Sequence, residues 1–183
     1  MAWDRAVPAA VFHAVPAPLV AAFDFMNTID ERTFGDHEPA DELTDPAALA
    51  RHLDVGACAP ADFRLGLRLR AALRAAARAN RTGDPVPVLG DLGRELPLRA
   101  DAALGLAPLD GGTRGALANL LAAVVIAEAD GSWRRMKACG APDCGWVFYD
   151  HSKPRNARWC STAGCGNRMK TRAYRTRLHG HTD

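Results

Sequence analysis

Cys139, Cys144, Cys160 and Cys165 fall as two pairs, each with four intervening residues, and fifteen residues separate the pairs. Thiolates at such spacing are suited to zinc, which takes four sulfur or nitrogen ligands in a tetrahedron. Gly140, Pro142, Gly145 and Gly164 allow the tight turns that such knuckles need. Four unrelated buried thiols are the alternative. Against it, the cysteines fall within 27 residues, and little else there could form a core. With every position filled by protein, the site is structural, not catalytic, and metal binding is coupled to folding of the segment. Cys58 stands alone and reads as a small buried hydrophobe. His151, His179 and His181 read as surface or nucleic-acid-facing groups, because the cysteines complete the ligand set. Paired cysteines of this kind suit a reducing compartment and a cytoplasmic protein.

Around the cysteines the charge is lopsided. From Arg134 onward there are eleven Lys or Arg against three Asp, a net of +8, which leaves twelve basic against eighteen acidic residues before it, a net of −6. A basic end suggests a polyanion as partner. Ser161 or Thr162 can cap a helix from about Ala163 to about Leu178. On it Arg168, Arg172, Arg175 and His179 share one stripe, Met169 and Ala173 lie on one flank, and Tyr174 and Leu178 on another. Lys170 and Arg177 point elsewhere. No acidic residue falls between Asp150 and Asp183 to neutralise the stripe. Arg158, Arg168, Lys170, Arg172, Arg175 and Arg177 are the expected nucleic-acid contacts, mainly to phosphate and sensitive to salt.

The residues before this module must seat it. Leu19 to Asp30 is apolar but carries Asp24, Asn27 and Thr28, and its local pattern fits helix or strand equally. Burying such polar groups is costly unless they are hydrogen-bonded. They form either a satisfied internal network or a helix cap, or else, with Arg70 or Arg74 of a later helix, a small-ligand pocket. Residues 1–18 read as extended and 31–43 as loop. Asp45 with Pro46 opens a helix over Ala47 to Leu53, and Asp62 caps another over Phe63 to Asn80, ended by Gly83 and Pro85. Residues 84–112 lack helical period, and a small hairpin fits Leu98 to Leu109. After the Asp110-Gly111-Gly112 turn, Thr113 caps a helix to residue 129, apolar on most sides. No run of about 18 apolar residues exists, so no membrane span is expected. Nucleophile–base pairs, phosphate loops and catalytic metal motifs are absent, and nothing argues for an enzyme.

The stretch Cys139 to Lys153, then Arg158-Trp159-Cys160-Ser161 and Cys165-Gly166-Asn167-Arg168, resembles the CGNR zinc finger, whose naming tetrapeptide is intact. Leu19 to Asp30, with Asp24-Phe25-Met26-Asn27-Thr28, is similar to the start of the ABATE domain that precedes it. The resemblance implies a stress-induced transcription regulator in which the four cysteines bind one structural zinc and the finger contacts double-stranded DNA. It places Asn167 and Arg168 in the signature turn. There Asn167 is expected to tie down backbone, and Arg168 to meet Asp150 or face phosphate. Lys153-Pro154 departs from the Pro-free basic run common in relatives. The expected fold is α+β, with a mostly helical domain over 1–132 holding a small β element, then a treble-clef-like, four-cysteine zinc finger over 133–183 ending in a basic helix. The first domain would bind a small-molecule effector or pair two subunits as a homodimer. A protein-interaction adaptor, or a small-molecule-binding or biosynthetic protein with a purely structural zinc, are the other readings.

Overall fold

A computed structural model of the chain describes residues 15–84, 89–101 and 105–179. Most of the extended start, Pro85, Pro87 and His181 lie outside the described residues, as does the side chain of His179.

The undecided segment after Pro18 is helical. A 3-10 turn, Ala17–Leu19, runs into α1, Val20–Met26, which ends at Asn27. The chain then extends into β1, Ile29–Asp30, paired antiparallel with β2, Ala40–Asp41. Helix α2, Pro46–His52, starts as expected, with the Asp45 carboxylate accepting from the Ala48 N–H at 2.8 Å. Helix α3, Pro60–Thr82, begins earlier than expected. Pro60 supplies the preset φ of the first turn, so Asp62 sits inside that turn and is not the cap. Its carboxylate instead accepts from Arg114 Nε at 2.8 Å. Left-handed Gly83 ends the helix at φ 82°.

Between residues 84 and 112 the structure adds α4, Leu89–Glu95, which the sequence reading lacks, and then the expected hairpin of β3, Leu98–Asp101, and β4, Gly105–Pro108. Helix α5, Gly112–Ala129, is capped at Gly111. Thr113 is not the cap, because its hydroxyl donates to the Ala57 carbonyl at 2.9 Å. By length and composition α5 is long and apolar enough to cross a bilayer, but nine of its residues are buried inside this fold. The finger follows: β5, Met136–Ala138, antiparallel to β6, Val147–Tyr149; a π turn, Thr162–Gly166; and α6, Asn167–His179. Ser161 caps the turn, accepting from the Gly164 N–H at 3.0 Å.

The architecture is α+β: a mostly helical body with small two-stranded ribbons, then a treble-clef-like finger. Phe25, Leu69, Leu73 and Leu117 are fully buried at the centre. That core does not stop at the finger. Trp133, Met136, Ala138 and Val147 belong to it, so the β5–β6 hairpin is built on the helical body. A second, smaller core gathers Cys139, Ala141, Cys144 and Cys165 against Phe34, Trp146, Trp159 and Met169.

Candidate metal centre and nucleic-acid interface

Cys139 and Cys144 sit on the knuckle between β5 and β6. The Cys139 N–H donates to the Trp146 carbonyl at 2.8 Å, and the Cys144 N–H to the Ala141 carbonyl at 3.1 Å. Cys160 lies just before the π turn and Cys165 within it. The Gly140 N–H, donating to the Arg158 carbonyl at 2.9 Å, stitches the two ligand pairs together. All four sulfurs lie within 4.8 Å of one another. Cys144 to Cys160 and Cys160 to Cys165 are both 3.7 Å apart. A tetrahedron with Zn–S bonds of ~2.3 Å has edges of about 3.8 Å, so the donor set fits zinc in both chemistry and span. Contacts with Cys139 push the Cys144 and Cys160 thiols up and draw Cys165 down, while Cys144 draws Cys139 down. Four adjacent sulfurs cannot all be thiolates without a cation among them. The finger holds one structural zinc ion.

A polar ring supports these ligands. Arg168 forms an ion pair with Asp143, donates to the Cys165 sulfur at 3.5 Å, and lies 3.7 Å over the Phe34 ring. The Thr33 N–H donates to the Asp143 carbonyl at 3.1 Å, which fixes that loop of the body beside the knuckle. Arg168 therefore meets Asp143 and not Asp150, and its guanidinium is turned inward toward the metal site. A zinc ion with four thiolates carries a net −2, and a guanidinium at one sulfur offsets part of it. Asp150 belongs to Lys137. The two are 1% and 4% exposed, and Lys137 Nζ donates to its carboxylate at 2.7 Å. Burial alone would raise Asp150, but Lys137 and the Ser152 and Ala157 N–H groups hold it at about 2. Asn167 is exposed, and no described side-chain hydrogen bond ties it to backbone. Gly166 is buried, and a Cβ there would lie 3.3 Å from the Trp159 ring and 3.4 Å from the Ser161 carbonyl.

The profile of the ABATE domain, described as "Putative stress-induced transcription regulator", matches residues 19–130. The chain belongs to the ABATE family. The CGNR zinc finger profile matches residues 135–178, so the metal centre just described is the CGNR finger of an ABATE protein. No curated protein is a significant match to the chain.

In this ABATE protein the other expected nucleic-acid residues face outward. Lys170, Arg172, Arg175 and Arg177 are exposed on α6, and Arg158 is exposed 5.4 Å from the Trp159 ring. Every described residue from Lys170 to Leu178 is exposed, including Tyr174 and Leu178 at 57% each. The helix thus projects from its zinc-bound foot.

The polar residues of the ABATE body form a satisfied network that joins body to finger. The Asn27 side chain donates to the Val147 carbonyl and accepts from the Val147 N–H, both at 3.0 Å, so it pairs with β6 as a strand residue would. Thr28 donates to the Phe25 carbonyl at 2.8 Å. Arg70 donates to the Thr28 hydroxyl at 2.9 Å and grips the Asp41 carboxylate with two bonds of 2.6 Å. Arg74 donates to the Met26 carbonyl at 2.8 Å and the Gly145 carbonyl at 3.1 Å, and pairs with Glu31. Asp24 stands apart, half-buried; burial and then the nearby Glu42 push its carboxyl upward. Of the five residues read as a ligand pocket, four are thus committed to one another and to backbone. Sequence reasoning missed Asp143 and Phe34 as supports of the zinc site, Lys137 as the partner of Asp150, and Asn80. The last donates to the Trp133 carbonyl at 2.8 Å and the Met136 carbonyl at 2.9 Å. Asp143 alone left a trace, as the lone acid between two ligand cysteines.

Proposed function

We propose that the protein is a zinc-dependent transcription regulator that grips duplex DNA with α6 while the helical body serves as a sensor. The observation that carries this reading is the exposed cation set of Lys170, Arg172, Arg175 and Arg177 on a helix rooted in the metal site. Such a helix gains little from its own fold, because it buries almost nothing beyond its first turn. Phosphate supplies both the missing charge and the missing contacts. Arg158 lies at the foot of the same helix, and Arg168 acts indirectly by holding the zinc-bound turn that aims it.

Fluorescence anisotropy with labelled duplexes across a salt series tests this. Four phosphate contacts give a slope of log K against log salt of about −3.6, at roughly −0.9 per contact. Replacing Arg172 and Arg175 by Ala should flatten the slope by about 1.8 and weaken all sequences by similar factors. Absence of binding at low salt removes the reading. Exposed Tyr174 and Leu178 favour a second one, an adaptor docking on an acidic protein surface. Pull-downs that survive nuclease treatment would select it.

A further inference from the structure

A cavity of about 670 Å³ opens between α3, α4 and α5, away from the zinc site and from the Asn27–Arg70–Arg74 network. Its walls are largely apolar, with Leu89, Leu96, Leu98, Leu121, Val124 and Trp133 among them. One carboxylate, Glu128, stands among them. The volume is that of a site for a small organic molecule, and an apolar wall with few polar groups is how such sites are made.

Two features suit the space to a ligand. Gly90 and Gly93 line it from α4, and a Cβ added at either meets no atom within 4 Å. Glycine inside a helix is less favourable than alanine. Both positions are exposed and lack a close neighbour that would require glycine, so larger side chains there would fit the helix and reduce the open space. Among the described residues the Glu128 carboxylate is held only by Arg134, through a contact of 3.5 Å with both side chains substantially exposed, and such a contact contributes little. It is therefore available to a better-seated cation. Asn80 at the base of the cavity holds the Trp133 and Met136 carbonyls, so cavity wall and first finger strand are one piece of structure.

We infer that this cavity binds a small apolar amine, with the hydrocarbon part against Leu96, Leu121 and Trp133 and the ammonium on Glu128. The inference stands independently of DNA binding by α6, because it is read on the protein alone. The test uses 4-phenylbutylamine and 4-phenylbutyrate as probes on the full-length, zinc-loaded chain, by calorimetry. The amine should bind saturably and at least tenfold more tightly than the carboxylate. Gly90→Leu/Gly93→Leu should abolish binding while leaving zinc content and circular dichroism unchanged, since leucine suits a helix better than glycine. Glu128→Gln should erase the preference between the two probes. No saturable binding of the amine, undiminished binding in the leucine variant, or equal affinity of the native chain for both probes would overturn the inference.

Discussion

At the scale of single residues, the naming arginine of the finger shows how far a side chain's role depends on partners distant in sequence. Arg168 reads as one more cation in a basic stripe. Its function is set by Asp143, by Phe34 of the helical body and by the Cys165 sulfur. None of these is visible from helical spacing, whereas the four cysteines carry their chemistry in type and spacing alone. Arg168→Ala should lower zinc affinity by about 10- to 100-fold, the usual effect of losing a group that orients a ligand. Arg175→Ala should leave zinc affinity unchanged. Competition with a chromogenic chelator separates the two. A carboxylate shows the same dependence on context. Burial would raise Asp41, but the Arg70 fork and the Leu43 N–H hold it below its ordinary value. A lowered carboxyl stabilises the fold fully above the unfolded range near ~3.9 and loses that contribution as pH falls through its folded value. The stability gap between native protein and Asp41→Asn, from urea unfolding, should stay level between pH 7 and pH 5 and close progressively at about pH 4 and below.

Elements were legible where local chemistry decides them. Asp45 with Pro46, Gly83, and the cap at Ser161 all signal correctly because each acts on its own turn. The starts of α3 and α5 shift by a few residues because Asp62 and Thr113 satisfy distant groups, Arg114 and the Ala57 carbonyl, in place of their own helix ends. Helix α4 escaped because seven residues with two glycines carry almost no period. The joint between α1 and β6 is the clearest case of an element contact hidden from sequence. Asn27 reads as a polar interruption of an apolar run, yet it is the end of α1 pairing with a strand 120 residues on. Asn27→Ala orphans a buried N–H and a buried C=O of Val147. At ~1–3 kcal/mol for each unsatisfied group, the variant should lose about 3 kcal/mol. A loss under about 1 kcal/mol in urea unfolding would show that water replaces the side chain.

At the scale of the whole molecule, the boundary drawn by charge and chemistry near residue 132 differs from the boundary of packing. By charge and cysteine spacing, all of 133–183 is expected to be one module that stands or falls with its metal. The structure divides that stretch. Met136, Ala138 and Val147 are fully or almost fully buried in the main core, and Asn27, Asn80 and Arg81 hold backbone carbonyls of the hairpin from the helical side. The cysteine cluster, the loop to Cys160 and α6 have only the small second core beneath them. Stability need not be uniform across such a fold, and segments with few buried apolar contacts open first. Cys160→Ser should therefore lose zinc and unfold residues 158–179 while β5, β6 and α5 persist. Hydrogen exchange reads this directly. Amides of Met136–Ala138 and Val147–Tyr149 should keep most of their protection in the variant, and those of α6 should exchange at the rate of free chain. If the hairpin amides collapse with α6, the metal supports the body as well as the finger, and the shared core is too weak to hold the strands unaided. If zinc stays bound at one per chain, the four-sulfur ligand set is wrong.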